Sequence, residues 1–149
     1  MALTPHDGLR LGSLRYSNAR GRAADFRGLP LNIEIEAGQT KSGVGEDGRP
    51  WSKTYSVPYG EVRKTMALSD GDPVDVYVGP AWDAPMVYVV HQLRRDGKYD
   101  ESKVMLGFSS QGEAIAAYKK HGPSWGFGSC DIMTFDQFRH GYLASNRKI

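Results

Sequence analysis

The sequence predicts an α+β protein, mainly β, in which a small, highly curved sheet or barrel carries two helices packed against it. Three observations lead there. Short runs alternate apolar and polar residues with the period of a half-buried strand. Eighteen glycines and eight prolines punctuate those runs, too many for a helix bundle. Two helix-start signatures lie together near the C-terminal end, after the strands.

Residues 1 to 28 carry Arg10, Arg15, Arg20, Arg22 and Arg27 without a clear apolar period. They read as a basic arm, either loosely docked or touching a polyanion or partner protein. Residues 29–149 read as the folded domain. Leu31, Ile33 and Ile35 alternate with Asn32, Glu34 and Glu36 as a half-buried strand. Gly38 to Pro50 reads as a loop or hairpin and Trp51 to Val57 as a further strand. Pro58-Tyr59-Gly60 reads as a turn, with Glu61 to Met66 extended after it. Asp70 to Pro73 is a turn feeding a strand at Val74 to Val78, with Val74, Val76 and Val78 on one face and Asp75 and Tyr77 on the other. Met86 to Leu93 is the strongest strand, and Asp96-Gly97 turns it into a partner at Ser102 to Phe108. Ser110 and Glu113 open a helix that stops at Gly122-Pro123. Thr134 and Gln137 open a second that ends before Ser145, and a short strand near Ser129 to Met133 lies between them.

The chain has 149 residues and a net charge of +2, which suits one domain and argues neither for nor against nucleic acid; only the basic arm hints at a polyanion. Its single cysteine, Cys130, excludes an intrachain disulfide and a cysteine zinc site. No apolar run is long enough for a bilayer, and the N-terminus, with Asp7 and Arg10, lacks the apolar stretch of a signal peptide, so a cytoplasmic protein with no membrane role is expected. Oligomeric state is open, a homo-oligomer included.

Asp70, Asp72 and Asp75 place three carboxylates within six residues, with no lysine or arginine among them. Their mutual repulsion is relieved by a cation, and magnesium favours a few carboxylates together with water and phosphate oxygens. A solvated acidic turn is the competing reading. An EF-hand fits poorly, because its loop needs glycine where Asp75 stands. Lys41, Lys103, Lys119 and Lys120 supply scattered cations, and Tyr55, Tyr59 and Tyr118 supply hydroxyl donors, all suited to phosphate oxygens.

At these residues the chain resembles the soluble family I inorganic pyrophosphatases, over roughly residues 31 to 125. Asp70-Gly71-Asp72-Pro73-Val74-Asp75-Val76 is similar to that family's signature, Ile33-Glu34-Ile35 to the strand with its early glutamate, and Pro58-Tyr59-Gly60 to its tyrosine-containing stretch. The resemblance implies an OB-like five-stranded barrel with two C-terminal helices outside, and magnesium-dependent hydrolysis of pyrophosphate to two phosphates. It implies metal ligation by Asp70, Asp72 and Asp75, and by Asp96 with Asp100 or Glu101. It assigns Asp72 as the base, with Tyr59 and Lys41 also at the chemistry. Substrate contacts would come from Lys41, Lys103, Tyr118, Lys119 and Glu34. Ser42-Gly43 stands where a glutamate follows Lys41, and the strand arginine before Tyr55 is replaced, with Arg49 or Lys53 as stand-ins. The stretches around Trp51, Val78-Gly79-Pro80 and Asp100 to Phe108 look like a compact variant from phage and mobile-element proteins, which would work in the host cytoplasm. A weakened, binding or structural module of such an element is the alternative.

Overall fold

The computed structural model describes residues 15–16, 23–63 and 73–146. Ten strands follow in chain order: β1 (Arg15–Tyr16), β2 (Ala23–Phe26), β3 (Leu29–Ile35), β4 (Thr40–Val44), β5 (Pro50–Thr54), β6 (Tyr59–Val62), β7 (Asp75–Val78), β8 (Met86–Leu93), β9 (Tyr99–Leu106) and β10 (Phe127–Thr134). Helix α1 (Gln111–His121) precedes β10, and a short α2 (Phe135–Gln137) follows it. No helix among the described residues is long and apolar enough to cross a membrane.

Eight strands form one sheet in the order β1-β2-β3-β6-β7-β9-β8-β10, and β4 and β5 form a separate hairpin. All pairings in the large sheet are antiparallel except β7 with β9. The sheet is open, with β1 and β10 at its ends, where a closed five-stranded barrel was expected. The reason lies in the central strands. Val76, Tyr77 and Val78 are all buried, as are Val87 to Val90 and Val104 to Leu106. Strands apolar on both sides belong to a sheet packed on both faces, whereas a barrel strand turns one side outward.

One face holds Leu29, Leu31, Val62, Val74, Val76, Val78, Val87, Val89, Val104 and Leu106 against Phe135, Phe138 and Leu143 from the C-terminal segment. The other holds Tyr55, Tyr77, Tyr88, Val90 and Met105 against Ala114 and Tyr118 of α1. The expected split of β7, valines one way and Tyr77 the other, is what these two cores show. A bulge in β3 opposite β6 lets Ile33 serve the first core and Ile35 the second, although alternation alone would put both on one side.

Several local expectations need correction. The sheet extends upstream of Leu29 into the segment read as a basic arm: β2 pairs with β3, and Ala24 and Phe26 are core residues. The hairpin reading of Gly38 to Pro50 holds, since this stretch is β4 and the turn to β5. Pro58-Tyr59-Gly60 is no turn, because Tyr59 and Gly60 lie in β6. Gly60 is there for space. A Cβ on it would sit 2.1 Å from the Asn32 carbonyl oxygen and 2.9 Å from Ile33 Cα, backbone atoms that cannot step aside. Gly60→Ala is therefore expected to cost about 2 kcal/mol or more, seen as a lowered urea midpoint.

Asp96-Gly97 does close the β8–β9 hairpin, with Gly97 at φ 86°. The Ser110 hydroxyl caps α1 at the Glu113 amide, and Thr134 and Gln137 form a reciprocal capping box. The second helix is not regular: α2 widens into a π-helical turn at Phe138–Tyr142 and tightens into a 3-10 turn at Ala144–Asn146. Phe135, Phe138 and Leu143 of this segment share one core, at the i, i+3, i+8 spacing of an apolar helix face.

Candidate active site

Four residues from adjacent strands lie in register across the α1 face: Asn32, Glu61, Asp75 and Lys103. Cross-strand partners point to the same side, so their polar groups meet. Asn32 Nδ2 donates to Glu61 Oε1 at 3.3 Å. Lys103 Nζ lies 2.8 Å from Asp75 Oδ2 and 2.5 Å from Glu101 Oε1, and donates to the Tyr59 hydroxyl at 2.8 Å. All three ammonium protons thus have an acceptor. Burial alone would lower the lysine's pKa, but interactions with Tyr59, Asp75 and Glu101 outweigh it and hold it above its ordinary value. Burial raises the Tyr59 pKa, against a smaller opposing pull from Lys103. The pair is ammonium and neutral phenol, and Tyr59 keeps its own O–H as a donor.

Aromatic rings form the floor. Tyr59 and Tyr77 have centroids 4.6 Å apart, and His121 stacks at 5.4 Å on both Tyr55 and Tyr77. His121 ends α1 and is buried. Its Nδ1 lies 2.7 Å from the Ala117 carbonyl, and its Nε2 accepts from the Ser56 amide at 3.0 Å, which fixes the neutral tautomer. Burial pushes its pKa below the ordinary 6.5, and Lys53 and Lys120 add to the effect. The unfolded chain then binds a proton that the folded one refuses, so stability falls as pH drops below 6.5 and levels off beneath the folded pKa. The urea midpoint is expected to lose part of this slope in His121→Gln, measured between pH 7 and 5.

The β4–β5 hairpin brings further cations. Lys41 and Lys53 are direct cross-strand partners. Lys53 Nζ donates to the His121 carbonyl at 2.5 Å and lies 4.9 Å from the Tyr55 ring centre. Burial lowers its pKa, and the charges of Lys103 and Lys41 lower it further. Three lysines from two separate sheets thus share one electrostatic neighbourhood. Glu34 is exposed on β3, and its charge reaches Tyr55, whose pKa is raised chiefly by burial.

The structure separates other expected members. Tyr118 is fully buried; its hydroxyl donates to Gln92 Oε1 at 2.7 Å, and Gln92 Nε2 donates to Asp100 Oδ2 at 3.0 Å. Its pKa is pushed up to about 12, first by burial and then by Asp100 and Glu101 against Lys103. Lys119 is exposed and lies 4.9 Å from the Phe127 ring centre, away from its neighbour's bond to Gln92. A bulge in β9 turns Asp100 to the same face as Glu101, so the two acids take different partners, Gln92 and Lys103. Asp96 sits in the hairpin turn, bound to Arg94 at 2.6 Å and capping the Lys98 amide, and the Arg94 bond holds its carboxyl below the usual range. The last paired position, Tyr99, is four residues from Lys103, or roughly 13 Å of strand. Asp70 and Asp72 lie outside the described residues.

The available donors are hard oxygens, Asp75, Asp100 and Glu101, which suit a magnesium-like cation. Among the described residues, no group of three or more His, Cys, Asp or Glu side chains forms a metal site by itself. Gln92, Tyr77 and His121 escaped the sequence reading. Gln92 alone left a trace: it shares the alternation of Tyr88 and Val90 in an otherwise apolar strand, where a buried amide must have partners.

A lysine-bearing, tyrosine-floored sheet face edged by carboxylates has the equipment to hold a small polyanion beside a hard cation. The family model for inorganic pyrophosphatase matches residues 14–142, and the chain belongs to that family. No curated protein and no solved structure matches it.

Proposed function

We propose that this chain hydrolyses inorganic pyrophosphate to two phosphates with magnesium. The observation that carries the reading is Lys103, held by Asp75, Glu101 and Tyr59 next to the lysine pair of the hairpin. Asp70, Asp72 and Asp75, with Asp100 or Glu101 for a further ion, would hold magnesium, which when bound neutralises phosphate charge and acidifies water. Lys41, Lys53 and Lys103 neutralise the phosphate oxygens, with Glu34 at the margin of the substrate. Tyr59 donates its O–H to the departing phosphate. Asp72 takes the proton of the attacking water. Positioning and charge carry the barrier, since phosphoryl transfer asks little covalent chemistry of a protein.

Phosphate release from pyrophosphate tests this directly. Turnover is expected with magnesium, none after chelation, and strong inhibition by calcium, whose larger and looser coordination suits such a site poorly. Equal rates with both ions would overturn the proposal. We place the chain with the compact phage or mobile-element forms of the family, acting in the host cytoplasm. Ser42-Gly43, in place of the family glutamate after Lys41, favours a second reading, a binding module. Pyrophosphate that raises the melting temperature without releasing phosphate would select it.

A further inference from the structure

On the face opposite Lys103, Ser102 of β9 is the direct partner of His91 on β8. Ser102 Oγ lies 2.8 Å from His91 Nδ1, and His91 Nε2 lies 2.8 Å from Asp131 Oδ2 on β10. The Tyr99 hydroxyl is also 2.8 Å from Ser102 Oγ, and Tyr142 hydrogen-bonds the same serine. None of these five side chains belongs to the site above.

Hydrogen-bond chemistry orders the cluster. A carboxylate only accepts, so His91 Nε2 donates to Asp131. In the neutral imidazole Nδ1 is then an acceptor, and the single Ser102 hydroxyl proton goes to it. With that proton committed, Tyr99 and Tyr142 both donate to Ser102 Oγ and occupy its two lone pairs. The serine therefore has a base on its proton and a carboxylate fixing the tautomer of that base, the arrangement that activates a hydroxyl nucleophile. The two ring nitrogens exchange their commonest roles, which leaves the proton's route unchanged. The His91 side chain is 29% exposed and Asp131 64%, so the cluster opens to solvent.

We propose that Ser102 is the nucleophile of a second site, independent of the pyrophosphate reading, that takes small carboxylic esters. Ser102 Oγ adds to the carbonyl carbon while its proton passes to His91 Nδ1. The ester C–O bond breaks, and the leaving alkoxide takes that proton. Water then attacks the acyl-serine, giving a proton to His91 Nδ1. The carboxylic acid departs, and the proton returns to Ser102 Oγ. As the ester docks, Tyr99 turns its O–H from Ser102 Oγ to the carbonyl oxygen, which frees the attacking lone pair and meets the negative charge that develops there. An open surface grips no long chain, which restricts the substrates to small, activated esters.

The test uses the full-length protein with a biotinylated fluorophosphonate and with p-nitrophenyl acetate. The expected results are a phosphonyl adduct on the peptide containing Ser102, and p-nitrophenol release at least about tenfold faster than in Ser102→Ala. Asp131→Asn should bring release down close to the Ser102→Ala rate through loss of the tautomer. The adduct is read on the unaltered chain, so it does not depend on how a variant folds. Absence of the Ser102 adduct, or release by Ser102→Ala at the full rate, overturns the proposal and leaves the cluster as a clamp between strands.

Discussion

Lys103→Met is expected to lower stability by about 3 kcal/mol and turnover by about 100-fold or more. The ammonium is nearly buried, with 11% of its side chain exposed, and it pairs with both Asp75 and Glu101, at 2.8 and 2.5 Å. Methionine fills the same volume and leaves two carboxylates facing each other beside an aromatic floor. Breaking a fully buried pair costs about 3–5 kcal/mol, and the 27% and 23% exposure of the two acids puts this case at the lower end. Lys103→Arg separates the two effects. Its charge should restore most of the stability, whereas its planar fork cannot meet Asp75, Glu101 and Tyr59 as a compact ammonium does, so turnover should stay low. Urea unfolding and phosphate release are the two measurements. Full turnover in Lys103→Met would remove this lysine from the proposed chemistry.

Asp72→Asn is expected to leave the urea midpoint within about 0.5 kcal/mol of the parent and to cut phosphate release by about 10²–10⁴-fold. The amide is isosteric with the carboxylate and relieves like-charge repulsion in the Asp70, Asp72 and Asp75 run, so nothing in the substitution opposes folding. It cannot take a proton from water near neutral pH. A variant that keeps its turnover would assign the base elsewhere, and Asp75 is a poor candidate while Lys103 holds its carboxylate.

The parts of the fold readable in the sequence are those written by neighbouring residues. Met86–Leu93 is a strand over the expected span, Asp96-Gly97 turns it, and the caps at Ser110 and Thr134 start helices where expected. The parts decided by distant packing were not readable. Gly60 looked like a turn residue because the reason for its missing side chain, the backbone of β3, lies 27 positions upstream. The closed barrel gave way to an open sheet because α1 and the C-terminal segment cover opposite faces, a fact of three dimensions. The site divides the same way. Tyr59 and Lys103 stood out by type and meet at 2.8 Å. The separation of Tyr118 from Lys119 follows from helix geometry, since adjacent residues point about 100° apart, although both were expected at the substrate. The latch of His121 on Ser56 and Lys53 spans more than 60 residues and left no local pattern.

The single parallel pairing, β7 with β9, also says when the centre can exist. Asp75 and Lys103 are 28 residues apart and come into register only after β8 has crossed over and returned. Hairpins form from near neighbours, but this contact must first close a longer loop, which places it after the β8–β9 hairpin on the route to the native state. A nascent or partly denatured chain would therefore carry its acids and its lysine as separate solvated charges. The capacity to gather a polyanion would switch on only once β9 has docked between β7 and β8, which ties competence to the assembled sheet.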